Sequence, residues 1–264
     1  MNAQEVKRLI KVHCPPVVSF YRRLRQLSRH MRPLHESEII PTLFAELQAT
    51  TPEVFFVQIG AMDGVSFDPL YQYVIRYGWR GLLVEPLPDL FEQLKRSYSS
   101  HPGMIFENVA IAEKPCSKEM YRVPLDAVEH GLVPVWAKGI SSFFNDRNAL
   151  GGVRIPAESF EQIRPYITTQ SVACDTLPHL LERHHIRKID VFVMDVEGYD
   201  YQVLRQLDLE RFVPRVIMME WSNLPDGEKA LSLSLLRRHG YHTAQMWEGT
   251  VGNLVAWQGR KMWT

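Results

Sequence analysis

Residues 54–64 read Val-Phe-Phe-Val-Gln-Ile-Gly-Ala-Met-Asp-Gly, an apolar run that ends in a loop with two glycines. Continuous apolar runs, unlike alternating ones, indicate strands that are buried on both faces of a sheet. Helical patterns separate such runs along the chain, which predicts an α/β fold with a mostly parallel central sheet and helices on both faces. The predicted strands are Val54–Ile59, Gly81–Val84, Met104–Glu107, Asp190–Met194 and Val216–Met219.

Composition excludes several other classes of protein. The chain has 264 residues, of which 45% are hydrophobic and 23% charged, as in ordinary globular domains and unlike disordered or fibrous chains. Its cysteines, Cys14, Cys116 and Cys174, form no Cys-x-x-Cys pair, which argues against a zinc ribbon or a disulfide framework and for a reducing compartment. No apolar stretch is long enough for a transmembrane helix and the start lacks a secretory signal, so we expect a cytoplasmic protein.

Charge is distributed unevenly although it sums to zero. Residues 1–35 carry eight basic groups and one acidic group, a net charge of +7, so the remainder carries −7. We interpret residues 1–50 as a basic helical arm and residues 51–264 as the main domain. The arm is a candidate surface for anionic lipid, RNA or an acidic partner. The alternative is that it packs on the acidic body of its own chain or on a second subunit, forming a homo-oligomer.

Residues 124–170 interrupt the alternation of strands and helices. The segment contains prolines, a Gly151-Gly152 pair and several aromatic residues. Long segments of this kind in compact domains are commonly lids or binding loops, so we interpret it as an insertion over the active face that contacts the acceptor. The alternative is a structural flap without ligand contact.

The ends of the first two strands indicate ribose binding. Ligands of open α/β sheets bind outside the carboxyl ends of the strands. Gly60 and Gly64 lie in the loop after the first strand, where glycine allows close approach of a ligand, but Met62 breaks the three-glycine dinucleotide pattern. Glu85-Pro86 ends the second strand, 25 residues after Gly60, where a carboxylate can accept hydrogen bonds from both ribose hydroxyls.

Polar residues also follow the later strands. Asn108, followed by small residues, is placed either to contact an adenine or to form a simple turn. Asp195, Glu197 and Asp200 crowd three carboxylates after a buried strand, which is costly unless they face a cation or a polar ligand. The alternative for this cluster is capping of the next helix. Glu220 lies at the end of the fifth predicted strand, shortly before Asn223.

These stretches together resemble the FkbM-type methyltransferase family, over about residues 53–222. The motifs are VFFVQIGAMDG, LLVEP, FENVAIAE and IDVFVMDVEGYDYQVL, of which Asp-Val-Glu-Gly is the most specific. The sequence departs from the family pattern at Gln58, where an acid is usual, and at Met62, where a polar residue is frequent. These departures leave the binding of the donor's amino group open.

The resemblance implies a Rossmann-like class I methyltransferase fold and S-adenosyl-L-methionine as the methyl donor. It implies that Asp195 and Glu197 lie nearest the transferred methyl group and are the catalytic residues, with Asp195 also touching the donor. The remaining implied donor contacts are Gly60, Ala61, Asp63 and Gly64 for the methionine part, Glu85 and Pro86 for the ribose, and Asn108, Val109 and Ala110 for the adenine.

The expected reaction is O-methylation of a small-molecule, sugar or natural-product acceptor, in which Asp195 or Glu197 positions or deprotonates the hydroxyl. A second hypothesis adds Mg²⁺ held by Asp195, Glu220 and Asn223, because hard oxygen groups suit that ion. Two further alternatives are a non-catalytic binding subunit and an RNA ribose methyltransferase that uses the arm. The lack of an Asn-Pro-Pro-Tyr-like run argues against base methylation, and the missing third glycine argues against NAD-dependent dehydrogenation.

Overall fold

The structure is a computed structural model and describes residues 36–145, 150, 155–248 and 251–259. The basic residues 1–35 of the predicted arm and part of the predicted insertion lie outside the described residues. The described helices are α1 (Glu36–Thr50), α2 (Tyr71–Tyr77), α3 (Pro88–Ser97), α4 (Leu125–Glu129), α5 (Ala157–Ile163), α6 (Leu177–Arg183), α7 (Asp200–Leu204) and α8 (Asp226–Arg238), with 3-10 helices at Val135–Gly139 and Arg164–Tyr166.

The strands build one large and one small sheet. They are β1 (Phe55–Ile59), β2 (Arg80–Val84), β3 (Met104–Glu107), β4 (Ala110–Ile111), β5 (Cys116–Arg122), β6 (Ser141–Ser142), β7 (Thr168–Asp175), β8 (Val191–Met194), β9 (Val216–Glu220), β10 (His242–Glu248) and β11 (Val251–Trp257). The large sheet has the order β10-β11-β9-β8-β1-β2-β3. Its first five strands along the chain are parallel, whereas β11 runs antiparallel to both β9 and β10.

This arrangement confirms the predicted α/β fold with a mostly parallel sheet. Alternate residues of β1 point to opposite faces, so Phe56 and Val57, both fully buried, enter two different cores. The core around Val57 contains residues of α6, α7 and α8, and the core around Phe56 contains residues of α1, α2 and α3. None of the described helices is long and apolar enough to cross a bilayer.

Local signals at the first two crossovers explain where the chain turns. Gly78 ends α2 in a left-handed conformation, with φ of 70°, and Pro88 is the first residue of α3. The helix after β1 begins at Tyr71, and Asp68 caps the turn before it by accepting a 2.7 Å hydrogen bond from the backbone N–H of Leu70. These turns bring the ends of β1 and β2 to one edge of the sheet.

The small sheet was not predicted from the sequence. Its order is β4-β7-β5-β6, and β5 pairs antiparallel with β7 from the far side of the insertion. Arg122 at the end of β5 reaches α3 and donates two hydrogen bonds of 2.7 Å to the carboxylate of Asp89. Cys116 and Cys174 lie directly opposite each other in this sheet as free thiols. The described part of the insertion has an apolar core of its own, which includes Ala137 and Ile163.

Candidate active site

A cavity of about 510 Å³ opens at the carboxyl ends of β1, β2 and β8, where the strand order of the large sheet changes direction. Its volume lies in the range typical of small-molecule sites. The large sheet, the small sheet and the insertion all contribute to its wall. Residues on this wall include Gln58, Gly60, Ala61, Met62, Asp68, Glu85, Pro86, Val109, Ala110, Trp136, Phe143, Asp195, Glu197 and Tyr199.

Gly60 is required by the backbone around it. Its φ is +80°, and a Cβ at this position would lie 2.0 Å from the carbonyl oxygen of Asp195. The backbone N–H groups of Gly60 and Ala61 both donate to the carbonyl of Val84, at 2.9 and 3.0 Å. The loop therefore lines the cavity without offering these two donors to a ligand, and Gly60 allows the ends of β1 and β8 to approach closely.

Glu85 is held at the end of β2 by the backbone. Its carboxylate accepts 2.9 Å hydrogen bonds from the N–H groups of Met62 and Leu87. Burial raises the pKa of Glu85 to about 7, although these two hydrogen bonds and the charge of Arg122 act in the opposite direction. Each carboxylate oxygen keeps acceptor capacity, so Glu85 can also receive the hydroxyl hydrogens of a ribose.

Asp63 and Gly64 serve the structure and do not line the cavity. The Asp63 carboxylate accepts from the N–H groups of Val65 and Ser66 and forms a 2.8 Å ion pair with Lys138 of the insertion. The desolvation of Asp63 is outweighed by hydrogen bonds to Lys138 and Ser66, which lower its pKa. Gly64, with φ of +76°, packs against α3. Neither residue is therefore placed as the resemblance implies.

Asn108 also differs from its expected place. Its side-chain amide donates to the carbonyls of Glu85 and Pro86, at 2.8 and 3.1 Å, and so fixes the loop after β2. Its two successors, Val109 and Ala110, do line the cavity. Asn108 thus lies at the predicted strand end, but its side chain is bonded to the loop after β2 and does not line the cavity.

Gln58 and Asp68 form a polar corner of the cavity that the sequence motifs did not predict. Gln58 is 4% exposed, and its Oε1 has no hydrogen-bond partner among the described residues. Burial raises the pKa of Asp68 to about 6, while the N–H of Leu70 and the neighbouring Gln58 amide act to lower it. An Asp-Pro pair before a helix signals a cap, and nothing in that pattern indicates that Asp68 also lies on the cavity wall.

A cluster of acids follows β8 and β9. Asp195 is exposed on the cavity wall, whereas Glu197 and Glu220 are buried. One carboxylate oxygen of each lies within 4.8 Å of the others. Burial, together with the negative charges of Asp195 and Glu197, raises the pKa of Asp200 well above its ordinary value.

Asn223 joins two of these acids. Its amide nitrogen donates to Glu197 at 2.7 Å and to Glu220 at 3.1 Å. Because the nitrogen faces the carboxylates, the oxygen of Asn223 is not turned toward them as a metal ligand. The three carboxylates Asp195, Glu197 and Glu220 are the oxygen donors that could hold a divalent cation here. The same carboxylates can accept a proton or a hydrogen bond from a hydroxyl.

The insertion supplies an aromatic wall opposite the sheet. Trp136 and Phe143 line the cavity, and the Phe143 ring packs edge-on against Tyr199, with centroids 5.6 Å apart. Lys118 of β5 lies 4.7 Å from the Phe143 ring centroid, in cation-π geometry. The ion pair of Lys138 with Asp63 connects this wall to the loop after β1.

Comparison with known proteins gives a family match. A family model described as the methyltransferase FkbM domain matches residues 58–243. A methyltransferase FkbM from Methylobacillus flagellatus KT has 13% identity and a TM-score of 0.48, covering 78% of this chain and 43% of its own. The N-terminal domain of human METTL16 in complex with SAH has 12% identity and a TM-score of 0.45, covering 88% of this chain and 73% of its own. No curated protein matches the chain.

Coverage differs among these proteins. A METTL16 methyltransferase domain, with 12% identity and a TM-score of 0.45, is matched over 83% of this chain, which spans 64% of that domain. The family model instead covers more than two thirds of the chain and includes β2, β8, β9 and the loop that follows β1. It thus confirms the resemblance that the motifs indicated. The chain belongs to the FkbM methyltransferase domain family.

Proposed function

We propose that the chain transfers a methyl group from S-adenosylmethionine to a hydroxyl of a small-molecule, sugar or natural-product acceptor. The observation that carries this proposal is that Glu85 and Asp195 open onto the same cavity, at the ends of β2 and β8. One carboxylate is suited to a ribose and the other to an acceptor hydroxyl. Family membership supports the methyl transfer, and the carboxylates support oxygen as the acceptor atom.

Successive parts of the cavity wall suit the adenine, the ribose and the methionine part of the donor. Glu85 and Pro86 would hold the ribose, and the apolar surface of Val109 and Ala110 would contact the adenine. The loop from Gly60 to Met62 would lie along the methionine part. The Met62 N–H donates a hydrogen bond to Glu85, which fixes this loop to the carboxylate that would bind the ribose.

The protein's task in this reaction is alignment and proton removal. S-adenosylmethionine, when bound, supplies a methyl group on a positively charged sulfur. Asp195 is the exposed member of the acidic cluster and would orient the acceptor hydroxyl and take its proton. Glu197, buried and bonded to Asn223, would add negative charge beside it and keep the hydroxyl in place.

We infer that residues 124–170 act as the lid of the acceptor side. Trp136 and Phe143 line the cavity, and aromatic side chains suit the rings of a sugar or a natural product. The Lys138 ion pair ties the described part of this segment to the loop after β1. Acceptor choice would therefore depend on the insertion, and donor choice on the large sheet.

Two measurements test the proposal. Calorimetry with S-adenosylhomocysteine should show binding by the wild-type chain and binding at least tenfold weaker by Glu85→Gln, because a charge-assisted hydrogen bond is lost. Incubation with S-adenosylmethionine and a panel of hydroxylated acceptors, followed by mass spectrometry, should show the gain of one methyl group. Absence of donor binding would favour a non-catalytic binding subunit, and methyl gain only on RNA would favour ribose methylation.

A further inference from the structure

We propose that Asp68 and Gln58 together bind the α-ammonium group of the donor, with Asp68 supplying the negative charge and Gln58 a second acceptor. This inference rests on the proposed function, because it assigns one more part of the same donor. It also answers the question that the departure at Gln58 leaves open. The two residues belong to different elements, since Gln58 lies in β1 and Asp68 lies before α2.

Two buried acceptor atoms carry the inference. Oε1 of Gln58 and Oδ2 of Asp68 are both shielded from solvent, and neither has a hydrogen-bond partner among the described residues. Buried polar atoms without partners are uncommon and costly, and they are expected where a ligand completes the hydrogen bonding. Both residues lie on the wall of the donor cavity. A ligand group that donates hydrogen bonds therefore fits this corner.

The charge of the corner selects a cation. The other oxygen of Asp68 accepts from the N–H of Leu70 at 2.7 Å, and the ion pairs within the described ranges do not include Asp68. Its further neighbours are the acid Asp63 and the phenol of Tyr98, whose pKa Asp68 helps to raise. A buried carboxylate is stabilised by a paired cation. An ammonium group supplies the charge and three N–H donors for the two acceptors.

The position along the cavity agrees with the donor's covalent structure. Gln58 lies two residues before Gly60 in the chain, and Met62 binds the carboxylate of Glu85. The ammonium corner and the ribose carboxylate are thus joined by one short loop. In the donor, the amino acid and the ribose are likewise joined through a single sulfur atom.

A pair of ligands tests the assignment. S-adenosylhomocysteine carries the amino acid part, and 5′-methylthioadenosine is the matching thioether without it. For Asp68→Asn we expect affinity for S-adenosylhomocysteine to fall by about 10- to 100-fold, as for the loss of a hydrogen bond to a charged group. Affinity for 5′-methylthioadenosine should stay unchanged. The control is Asp226→Asn, which removes a fully exposed carboxylate and should alter neither affinity.

Charge exchange between the two positions gives a second test. In the double variant Gln58→Glu with Asp68→Asn the acid moves to its neighbour, and we expect most of the lost affinity for S-adenosylhomocysteine to return. Should Asp68→Asn fail to fold by circular dichroism, Gln58→Leu takes its place, with the same ligand-specific loss expected from the removed acceptor.

The outcomes separate this inference from the proposed function. Unchanged affinity of Asp68→Asn for S-adenosylhomocysteine overturns the assignment of Asp68. Equal losses for both ligands overturn it too, because they indicate a structural role only. A wild-type chain that binds neither ligand overturns the proposed function, and the ammonium site with it.

Discussion

The cavity has two acidic regions that are built differently. On the side of β1 and β2, where we propose that the donor binds, Asp68 and Glu85 stand apart, and each carboxylate is oriented by backbone N–H groups. On the side of β8 and β9, Asp195, Glu197 and Glu220 crowd together, and the latter two share the amide of Asn223. A spaced carboxylate with fixed orientation can recognise one group of a ligand. Crowded carboxylates repel one another, and a proton or a cation bound among them relieves that repulsion.

The largest expected effect comes from the crowded side. Asp195→Asn should lower turnover by about 10²- to 10⁴-fold, because the acceptor proton loses its base while the shape of the side chain is kept. Steady-state methyl transfer measures this change, and calorimetry with S-adenosylhomocysteine measures separately any change in donor affinity. Glu210→Gln, an exposed acid that does not line the cavity, is the control. Turnover close to that of the wild type would remove the assigned role of Asp195.

The second largest expected effect concerns stability, at the contact between the ends of β1 and β8. Gly60→Ala places a Cβ 2.0 Å from the Asp195 carbonyl oxygen at a φ of +80°, so we expect a loss of about 4 kcal/mol of stability. Urea denaturation measures it. Gly227→Ala in α8 is the matched control, because a Cβ there meets nothing within 4 Å and alanine favours the helix. Similar stabilities for both variants would contradict the close approach of β1 and β8.

Burial of Glu85 predicts a pH effect on the donor side. Because its pKa is raised to about 7, the folded state holds a proton that the unfolded state releases near pH 4.5. Wild-type stability should therefore fall relative to Glu85→Gln as pH rises from about 5 to 8, by roughly 3 kcal/mol in full. Urea denaturation of both chains without donor measures this difference. A difference that is constant across this pH range would show that Glu85 is not buried as described.

Removal of metal ions is expected to have no effect on activity, and this tests the carboxylates of Asp195, Glu197 and Glu220. Since Asp195 is proposed to take the proton itself, prolonged treatment with EDTA should leave methyl transfer unchanged. Activity after treatment is compared with that of an untreated sample and of one resupplied with Mg²⁺. Loss of activity that Mg²⁺ restores would assign Asp195, Glu197 and Glu220 to a cation.

The large sheet could be predicted because its signals are local. Continuous apolar runs located each parallel strand to within about one residue. A glycine after an apolar helical pattern predicts the end of α2 at Gly78, and a proline predicts the start of α3 at Pro88, as the structure shows. The apolar pattern of α2 also predicts that Ile75 faces the core, and this is wrong: Ile75 is 42% exposed, because α2 is short and buries only Val74. Placing Glu85 and Asp195 at one edge followed from the rule that parallel strands end together.

The small sheet could not be predicted because its pairing is not local. β5 reads Cys-Ser-Lys-Glu-Met-Tyr-Arg, a polar segment whose partner β7 begins only at Thr168, near the end of the insertion. Its apolar contacts come mainly from Met120, so no periodic pattern shows in the sequence. The edge strands β4 and β6 have two residues each, too few for any pattern.

The sequence failed to indicate the position of a side chain relative to the cavity where one residue type fits two roles. Asp68 fits a helix cap, and the second role proposed for it rests on its buried Oδ2 and on Gln58 nearby. Asn108 fits both a turn and an adenine contact, and its hydrogen bonds to Glu85 and Pro86 show that it braces a loop. The direction of the side chain decides which of the two roles such a residue has, and residue spacing in the sequence does not predict that direction.

The 3-10 helix Val135–Gly139 suggests where directed evolution of acceptor range should begin. It places Trp136 on the cavity wall and is fastened by Lys138, yet none of its residues belongs to a strand of the large sheet. Libraries at Trp136 would reshape the acceptor compartment while leaving the donor compartment intact. Because the proposed contacts to the ribose and the methionine part follow strands of the large sheet and Trp136 lies outside it, this short helix gives protein engineers a small and well-bounded target.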